Sequence, residues 1–190
     1  MSKPGERKHQ ILQVLATMLE DPRGEKITTA ALAARLDVSE AALYRHFASK
    51  AQMFEGLIEF IETTIFGLIN QITGSEDNGL KQAQQIVRML LNFAEKNPGM
   101  TRVLVGDALV HENERLQERM NQLFDRIEVS LKQSLRLAQS QQPLPPDTDA
   151  AARASILVAY VAGRWLRFVK TGFTKKPTEF FETQLMQLLA

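Results

Sequence analysis

The sequence predicts an all-α protein of about nine helices, with an N-terminal three-helix domain that contains a helix-turn-helix and a C-terminal helical domain. Three observations predict this fold. Apolar residues recur at helical spacing along most of the chain, breaks rich in Gly and Pro separate the periodic segments, and two short helical patterns meet at a tight polar turn. We place the first domain at residues 1–50 and the second at residues 51–190.

Composition limits the class of protein. The chain has 190 residues, of which 44% are hydrophobic, so it is long enough to bury a sizeable core. It has no cysteine, which excludes disulfides, thiol catalysis and cysteine-ligated zinc. No apolar run approaches the roughly 20 residues that cross a bilayer, and the polar N-terminus lacks the apolar core of a signal peptide. We therefore expect a cytoplasmic protein without a membrane span.

The first predicted helix carries an inward stripe and a basic start. Its apolar residues are Ile11, Leu15, Met18 and Leu19. Arg7 and Lys8 precede them, where a basic arm would meet phosphates. Residues 1–50 contain eight Lys and Arg against six Asp and Glu, so the segment is only mildly basic. The placement of these cations is therefore better evidence for nucleic-acid binding than their number is.

The segment from Thr28 to Phe47 contains the helix-turn-helix. Threonines begin its first helix, Asp37 and Val38 form the break, and Ser39 is placed to cap the second helix. The apolar positions of the two helices are four residues apart and face one another: Leu32 and Leu36 in the first, Leu43 and Phe47 in the second. This spacing predicts a small core shared by the two helices.

The outward face of the second helix combines small residues with long donors. With Leu43 inward, Ala41 and Arg45 lie at the opposite pole and Ala42 and Tyr44 flank them. Alanines allow close approach to a groove, and a guanidinium and a phenol donate to base edges and phosphates. An ordinary amphipathic helical hairpin would show the same spacing, so the pattern alone leaves both interpretations open.

A family resemblance decides between them. The stretch Val38-Ser-Glu-Ala-Ala-Leu-Tyr-Arg-His-Phe-Ala-Ser-Lys50, followed by an apolar helix, resembles the DNA-binding domain of the TetR family. The segments 53–62, 95–102 and 116–128 are similar to the nucleoid-occlusion branch of that family, so the resemblance covers nearly the whole chain. It implies a protein that binds specific chromosomal sites and, while bound, inhibits ring assembly by the tubulin-like division protein FtsZ over the nucleoid.

The resemblance and the helical wheel agree on a set of DNA contacts. Phosphate contacts are expected from Thr28, Thr29, Tyr44, Lys50, Arg7 and Lys8. Base contacts are expected from Ala41, Ala42 and Arg45, with His46 able to reach either bases or phosphates. Glu40 could accept from a cytosine amine, but a carboxylate at a helix N-terminus also favours the helix dipole, and we prefer that role.

Two later helices make the C-terminal domain the expected dimerisation domain. In TetR-like proteins the corresponding helices of two subunits form a four-helix bundle. The residues expected to carry it here are Leu116, Leu123, Phe124, Ile127, Tyr160 and Trp165. The alternative is that both apolar faces fill the core of one subunit. A two-fold dimer would place two recognition helices about 34–36 Å apart on a palindromic double-stranded site, with more than one dimer per site a further expectation.

The helix predicted from about residue 49 to 72 presents a candidate partner surface. Phe60 lies about 120° from its apolar stripe, between Glu59 and Glu62. It either packs on another helix of the same subunit or contacts FtsZ. The resemblance implies a partner surface beside the DNA-binding module, for which we select Phe60 with Lys96 and Asn97 in the following turn.

Other functions have less support in the sequence. A ligand-responsive TetR-type transcriptional repressor is the alternative function, with a pocket that would be lined by Met89, Phe93, Trp165 and Phe168, although a packed core explains these residues equally well. There is no phosphate-binding glycine loop, nucleophile elbow or zinc-protease motif, so we expect no enzyme, cofactor or metal. The carboxylates beside His111 do not converge with it as metal ligands. We expect the protein to be associated with the nucleoid.

Overall fold

The computed structural model describes residues 4–21, 27–110, 112–141 and 149–189. Within these ranges it contains α-helices, one short 3₁₀ turn at Asp107–Leu109 and no strand, which confirms the predicted fold class. The helices are α1 (Pro4–Met18), α2 (Thr29–Arg35), α3 (Glu40–Tyr44), α4 (Lys50–Ser75), α5 (Gly79–Lys96), α6 (Pro98–Leu104), α7 (Glu114–Gln141), α8 (Ala150–Lys170) and α9 (Phe181–Leu189). Among the described helices, none is long and apolar enough to span a membrane.

The chain divides into two compact units. The first comprises residues 1–61 and 97–120, and the second comprises residues 62–96 and 121–190. The sequence boundary after residue 50 coincides with the first residue of α4, and the first unit continues along this helix to Ile61. The helix-turn-helix therefore belongs to a unit that also includes α6 and the beginning of α7.

The first unit is built around the three N-terminal helices. α1 packs on α2, and α2 packs on α3. The fully buried apolar residues of this segment are spaced by helical turns, as the sequence predicts: Ile11 and Leu15 in α1, Leu19 just after it, Leu32 in α2, and Leu43 in α3. Their burial removes apolar surface from water, which is the main favourable contribution to packing such short helices.

Side-chain caps define the starts of α2 and α3. The Thr28 hydroxyl accepts a hydrogen bond from the backbone N–H of Ala31 at 3.1 Å. The Ser39 hydroxyl accepts one from the backbone N–H of Ala42 at 3.3 Å. Each cap satisfies a backbone donor that has no partner inside its helix. Both caps lie where the sequence places them.

The turn between the two helices depends on a left-handed residue. Asp37 has φ 53°, a conformation that favours glycine and that aspartate tolerates better than most residues. The backbone N–H of Val38 donates to the carbonyl of Ala33 at 3.0 Å, and that of Asp37 donates to Ala34 at 3.2 Å. These two bonds form a Schellman motif, which stops α2 and turns the chain toward α3.

Helix α4 is longer than the sequence predicts. We expected the break after it to begin at Thr73, but the helix continues to Ser75 and only residues 76–78 separate it from α5. The Ser75 hydroxyl donates to the carbonyl of Gln71 at 2.8 Å, and that of Thr73 donates to Asn70 at 3.3 Å. These polar side chains bond back to carbonyls of the preceding turn, so their hydroxyl groups are satisfied inside the helix.

The second unit packs around Trp165. This residue of α8 is completely buried, and its indole N–H donates to the carbonyl of Leu90 in α5 at 3.1 Å. The Phe124 ring from α7 lies against it, with ring centroids 5.8 Å apart. A buried indole needs a hydrogen-bond acceptor, and the Leu90 carbonyl supplies it. Trp165 therefore connects three helices of this unit.

The segment between α8 and α9 is tied to α5 by Glu95. The Thr178 hydroxyl donates to its carboxylate at 2.5 Å, and Lys176 forms an ion pair with it at 3.1 Å. The hydrogen bond from Thr178, helped by Lys176, lowers the pKa of Glu95 below its ordinary value despite partial burial. Because its ionised form is favoured in the folded state, the carboxylate contributes stability at neutral pH that is lost as the pH falls through its lowered pKa.

Helix α6 lies very close to α1 within the first unit. A Cβ atom at Gly99 would stand 2.0 Å from the backbone oxygen of Ala16. Arg102, also in α6, is buried and pairs with Asp107 at 2.8 Å, while its guanidinium donates to the carbonyl of Leu19 at 3.3 Å. Glycine is therefore required at position 99, and Arg102 fastens the same helix to the end of α1.

We predict that Gly99→Ala destabilises the protein by about 1–3 kcal/mol, because the added methyl group overpacks a contact against backbone atoms. The control is Gly74→Ala in α4, where an added Cβ meets open space. That change should leave the free energy of unfolding unchanged or raise it by roughly 0.5–1 kcal/mol. Urea unfolding of both variants measures the difference, and equal effects would contradict the close approach.

Candidate nucleic-acid interface

The outward face of α3 is arranged as the helical wheel predicts. Leu43 is buried, whereas Ala41, Tyr44 and Arg45 are exposed and Ala42 is half-buried. Tyr44 keeps 45% of its surface exposed, so its ring and hydroxyl are accessible to another molecule. The structure therefore brings two small residues, a phenol and a guanidinium to one accessible surface.

Arg45 and His46 lie just beyond the regular part of this helix. α3 ends at Tyr44, and Arg45 follows as its C-cap in right-handed helical conformation. The backbone N–H of Phe47 still donates to the carbonyl of Leu43 at 3.1 Å. His46 is half-buried in this last turn. Arg45 thus keeps the direction expected of a helical residue, while only part of His46 is accessible to bases or phosphates.

The threonines at the start of α2 use their hydroxyl groups differently. Thr28 accepts the capping bond from Ala31, and a hydroxyl that accepts retains its own proton as a donor for a phosphate. Thr29 instead donates its proton to the Glu40 carboxylate at 2.6 Å. Its backbone N–H, in the first turn of α2, is then the group suited to a phosphate. Glu40 thereby links the starts of α2 and α3.

The basic residues of α1 also differ in their surroundings. Lys8 is exposed, and its ammonium lies 5.6 Å from the centroid of the Phe47 ring, within cation–π range. This contact brings it beside the end of the α3 segment. Arg7 donates to the side-chain oxygen of Gln10 one turn further along α1, at 2.6 Å. Of the two cations, Lys8 is the one joined to the recognition segment.

Lys50 has a partner that the sequence does not reveal. Its ammonium forms an ion pair with the carboxylate of Glu112 and lies 5.6 Å from the centroid of the Phe54 ring. Glu112 follows the 3₁₀ turn and is 62 positions away along the chain. Local patterns such as spacing and caps carry no signal for a pair at this separation. Lys50 is therefore both a candidate phosphate contact and a member of an internal ion pair.

Phe60 packs on another helix of its own compact unit and also keeps part of its ring exposed. Its ring meets the ring of His9 in α1 edge to face, with centroids 5.8 Å apart, so it does pack within its own subunit. It nevertheless remains 39% exposed. Asn97 is half-buried in the same compact unit, whereas Lys96 is an exposed residue of the second unit. The exposed part of the Phe60 ring is the surface available to a partner.

The structure changes the expected dimerisation residues. Leu116, Leu123, Ile127 and Trp165 are buried within a single chain, so they form its interior and have no surface left for a second copy. Phe124 and Tyr160 are half-buried, and the Tyr160 hydroxyl donates to Gln184 at 2.8 Å. The wheel identified the apolar stripes, but the subunit core uses them. α8 presents another outward face, formed by Ile156, Ala159, Gly163 and Leu166.

The residues proposed for a ligand pocket are largely packed. Phe93, Trp165 and Phe168 are buried, and Met89 is half-buried. One surface cavity of about 410 Å³ instead lies between α1 and α2, and another of about 360 Å³ lies between α5 and α9. His111 lies outside the described residues. The described part of the chain contains no group of three or more His, Asp or Glu placed to hold a metal ion.

Two family profiles match the chain. The profile described as bacterial regulatory proteins of the tetR family matches residues 25–57, which contain the helix-turn-helix. The profile described as the tetracyclin repressor-like C-terminal domain, of the SlmA-like type, matches residues 77–190. These matches cover both the candidate interface and most of the C-terminal helices.

Curated relatives extend over nearly the full length. A protein of Alteromonas mediterranea named nucleoid occlusion factor SlmA is 52% identical over 96% of this chain and 93% of its own length. The protein of the same name from Shewanella pealeana is 53% identical over 94% of this chain and 90% of its own length. Identity at this level over this length shows common family membership.

A solved structure supports the fold independently. The fatty acid degradation regulator FadR from Bacillus halodurans superimposes with a TM-score of 0.78 over 96% of this chain and 97% of its own, at 13% sequence identity. At that identity the similarity concerns architecture alone. The full-length relatives and the matched profiles show that the chain belongs to the TetR family, in the group of nucleoid occlusion factors named SlmA.

Proposed function

We propose that the protein is a nucleoid occlusion factor, which binds specific double-stranded DNA sites as a homodimer and, while bound, inhibits FtsZ ring assembly over the nucleoid. One observation carries the DNA part of this proposal. α3 buries Leu43 and presents Ala41, Tyr44 and Arg45 on a single outward surface. Family membership supports the occlusion function, because the relatives at about half identity carry that name.

The proposed reading of DNA divides the surface into base and phosphate contacts. The two alanines let the α3 backbone approach the major groove, and Arg45 is suited to a guanine through paired hydrogen bonds. Thr28, Tyr44 and Lys8 have exposed donors around this point, and together with the half-buried Lys50 they are proposed to fix the protein on the phosphates. Base specificity then depends mainly on Arg45, whereas the position of the protein along the duplex depends on the phosphate contacts.

A dimer is proposed to form through the outward face of α8. This face has apolar residues at Ile156 and Leu166 and small residues between them at Ala159 and Gly163. Small residues let two helices pack closely, and the flanking apolar side chains supply buried area. Ile156 and Leu166 are 51% and 45% exposed, which is a large amount of apolar surface for a helix without a cover.

The exposed part of Phe60 is the proposed anchor for FtsZ. Aromatic side chains surrounded by polar residues are the usual centres of protein interfaces, and Glu59 is exposed beside this ring. Phe60 and the DNA-binding helices belong to the same compact unit. A partner held at Phe60 would therefore remain beside the chromosome. Asn97, which belongs to the same unit, is proposed to contribute to this partner surface, and Lys96 of the other unit stays a separate candidate contact.

We predict that Arg45→Ala weakens binding to the specific site by about 1–3 kcal/mol and relaxes base preference. Thr28→Ala should weaken all duplexes alike, because that side chain contacts phosphate. The assay measures binding to a fragment selected by the wild-type protein from genomic DNA and to a random duplex, at several salt concentrations. Equal losses on both duplexes for Arg45→Ala would show that it reads no base.

We predict that Gly163→Leu converts the dimer to monomer, since the new side chain enters the proposed interface while meeting open space in its own chain. Gly74→Leu is the matched control, because position 74 is also helical and open. Sedimentation velocity gives the mass of both variants, and the monomer should bind a palindromic site much more weakly. If the Gly163→Leu protein is still a dimer, this face of α8 is not the dimer interface.

We predict that Phe60→Ala abolishes retention of FtsZ on DNA-bound protein while leaving DNA binding intact. The measurement is co-sedimentation of FtsZ polymers with the protein, with and without its DNA site. Phe180→Ala is the control, because Phe180 is an even more exposed aromatic residue, at 67%, in the other unit.

The outcomes of the FtsZ assay separate the two levels of the proposal. Retention of FtsZ by Phe60→Ala would remove this residue from the partner surface. Failure of the wild-type protein to associate with FtsZ under either condition would overturn the proposed division partner. A ligand-responsive repressor would then be the function to test, by searching for a metabolite that raises the Kd for DNA.

A further inference from the structure

The ion pair between Lys50 and Glu112 places a carboxylate beside a cation of the proposed DNA-binding surface. Lys50 opens α4, directly after the recognition segment, and its side chain is only 22% exposed. Glu112 is more buried still, with 11% of its side chain exposed. The Phe54 ring borders the ammonium on another side. The lysine side chain is thus held in one place, unlike most surface lysines, which extend freely into water.

The segment that carries Glu112 is itself braced. Its backbone N–H donates to the carbonyl of Leu109 at 2.9 Å, at the end of the 3₁₀ turn. Gly106 begins that turn with φ 76°, and Asp107 is held by the ion pair with Arg102 at 2.8 Å. These contacts hold the start of the turn at Gly106 and Asp107 and the backbone N–H of Glu112. The carboxylate is therefore set against Lys50 by the local fold.

A carboxylate in this position opposes phosphate binding in two ways. It occupies donor capacity of the ammonium, which a phosphate oxygen would otherwise use. Its negative charge also cancels the positive charge of Lys50 and repels a phosphate that approaches the same point. A cation neutralised inside the protein releases few counterions from DNA, so it contributes little to sequence-independent affinity.

We propose that Glu112 is a positioning residue that competes with the DNA phosphate for Lys50 and so lowers the affinity of the protein for any duplex. The inference rests on the proposed DNA-binding function, in which Lys50 contacts phosphate. Weak sequence-independent binding is useful to a protein that must find particular chromosomal sites among a great excess of other DNA. Glu112 limits that background binding without occupying the base-reading face of α3.

The test measures binding of Glu112→Gln to a short random-sequence duplex over a series of salt concentrations. We expect about 3–10-fold tighter binding near 0.1 M salt, with the slope of log K against log salt steeper by about 0.9, equivalent to one added phosphate contact. Glu114→Gln is the matched control, because it removes the same charge from an exposed position two residues away. It should change affinity and slope much less.

A second pair of variants isolates the role of Lys50. In a Lys50→Ala background, Glu112→Gln should lose the gain in affinity and the change in salt slope, because the competing cation is absent. Thermal unfolding of each variant reports on folding. Partial unfolding would weaken DNA binding, which is opposite to the expected gain.

The outcomes distinguish this inference from the proposed function. Tighter binding by Glu112→Gln that depends on Lys50 supports it. If the wild-type protein binds DNA but the affinity of Glu112→Gln equals that of Glu114→Gln, or is lower than that of the wild type, the proposed competition is overturned. The DNA-binding function is then unaffected. Absence of DNA binding by the wild-type protein overturns both.

Discussion

The burial of Leu43 and Phe47 is the constraint on which the proposed DNA-binding surface depends. α3 has five residues, far fewer than an isolated helix needs to persist in water. Its conformation is therefore supplied by packing against α2 and by the Ser39 cap. Because these contacts fix one side of so short a helix, they also determine which side remains outward. The packing of the core therefore sets the direction in which Arg45 points.

Local features of the fold could be predicted because their causes are local. Capping by Ser39 and the burial of Leu32 and Leu43 each depend on residues within one or two turns. The end of α4 was misplaced because Gly, Ser and Thr indicate a turn on average, whereas here Ser75 bonds back into the helix. Neighbouring residues predict a helix boundary well only where they allow few backbone conformations.

Contacts distant in sequence could not be predicted in the same way. The ion pair of Lys50 joins the start of α4 to a residue between the 3₁₀ turn and α7, and nothing near either residue in the sequence indicates the other. The dimer surface presents a different difficulty, because one apolar stripe can serve either the core or a partner. Trp165 shows the result, since the most conspicuous aromatic residue of α8 is an interior residue. Small residues such as Gly163, at the opposite side of the helix, are a weaker sequence signal for the more accessible face.

The position of Trp165 has a practical consequence for spectroscopy. It is the single tryptophan of the chain, and it is wholly enclosed in the second compact unit. Its fluorescence therefore changes when that unit unfolds, because unfolding exposes the indole to water. The helix-turn-helix unit carries Tyr44 and no tryptophan, so its loosening is silent at wavelengths that excite indole alone. Intrinsic tryptophan emission thus reports on the second compact unit without any introduced label.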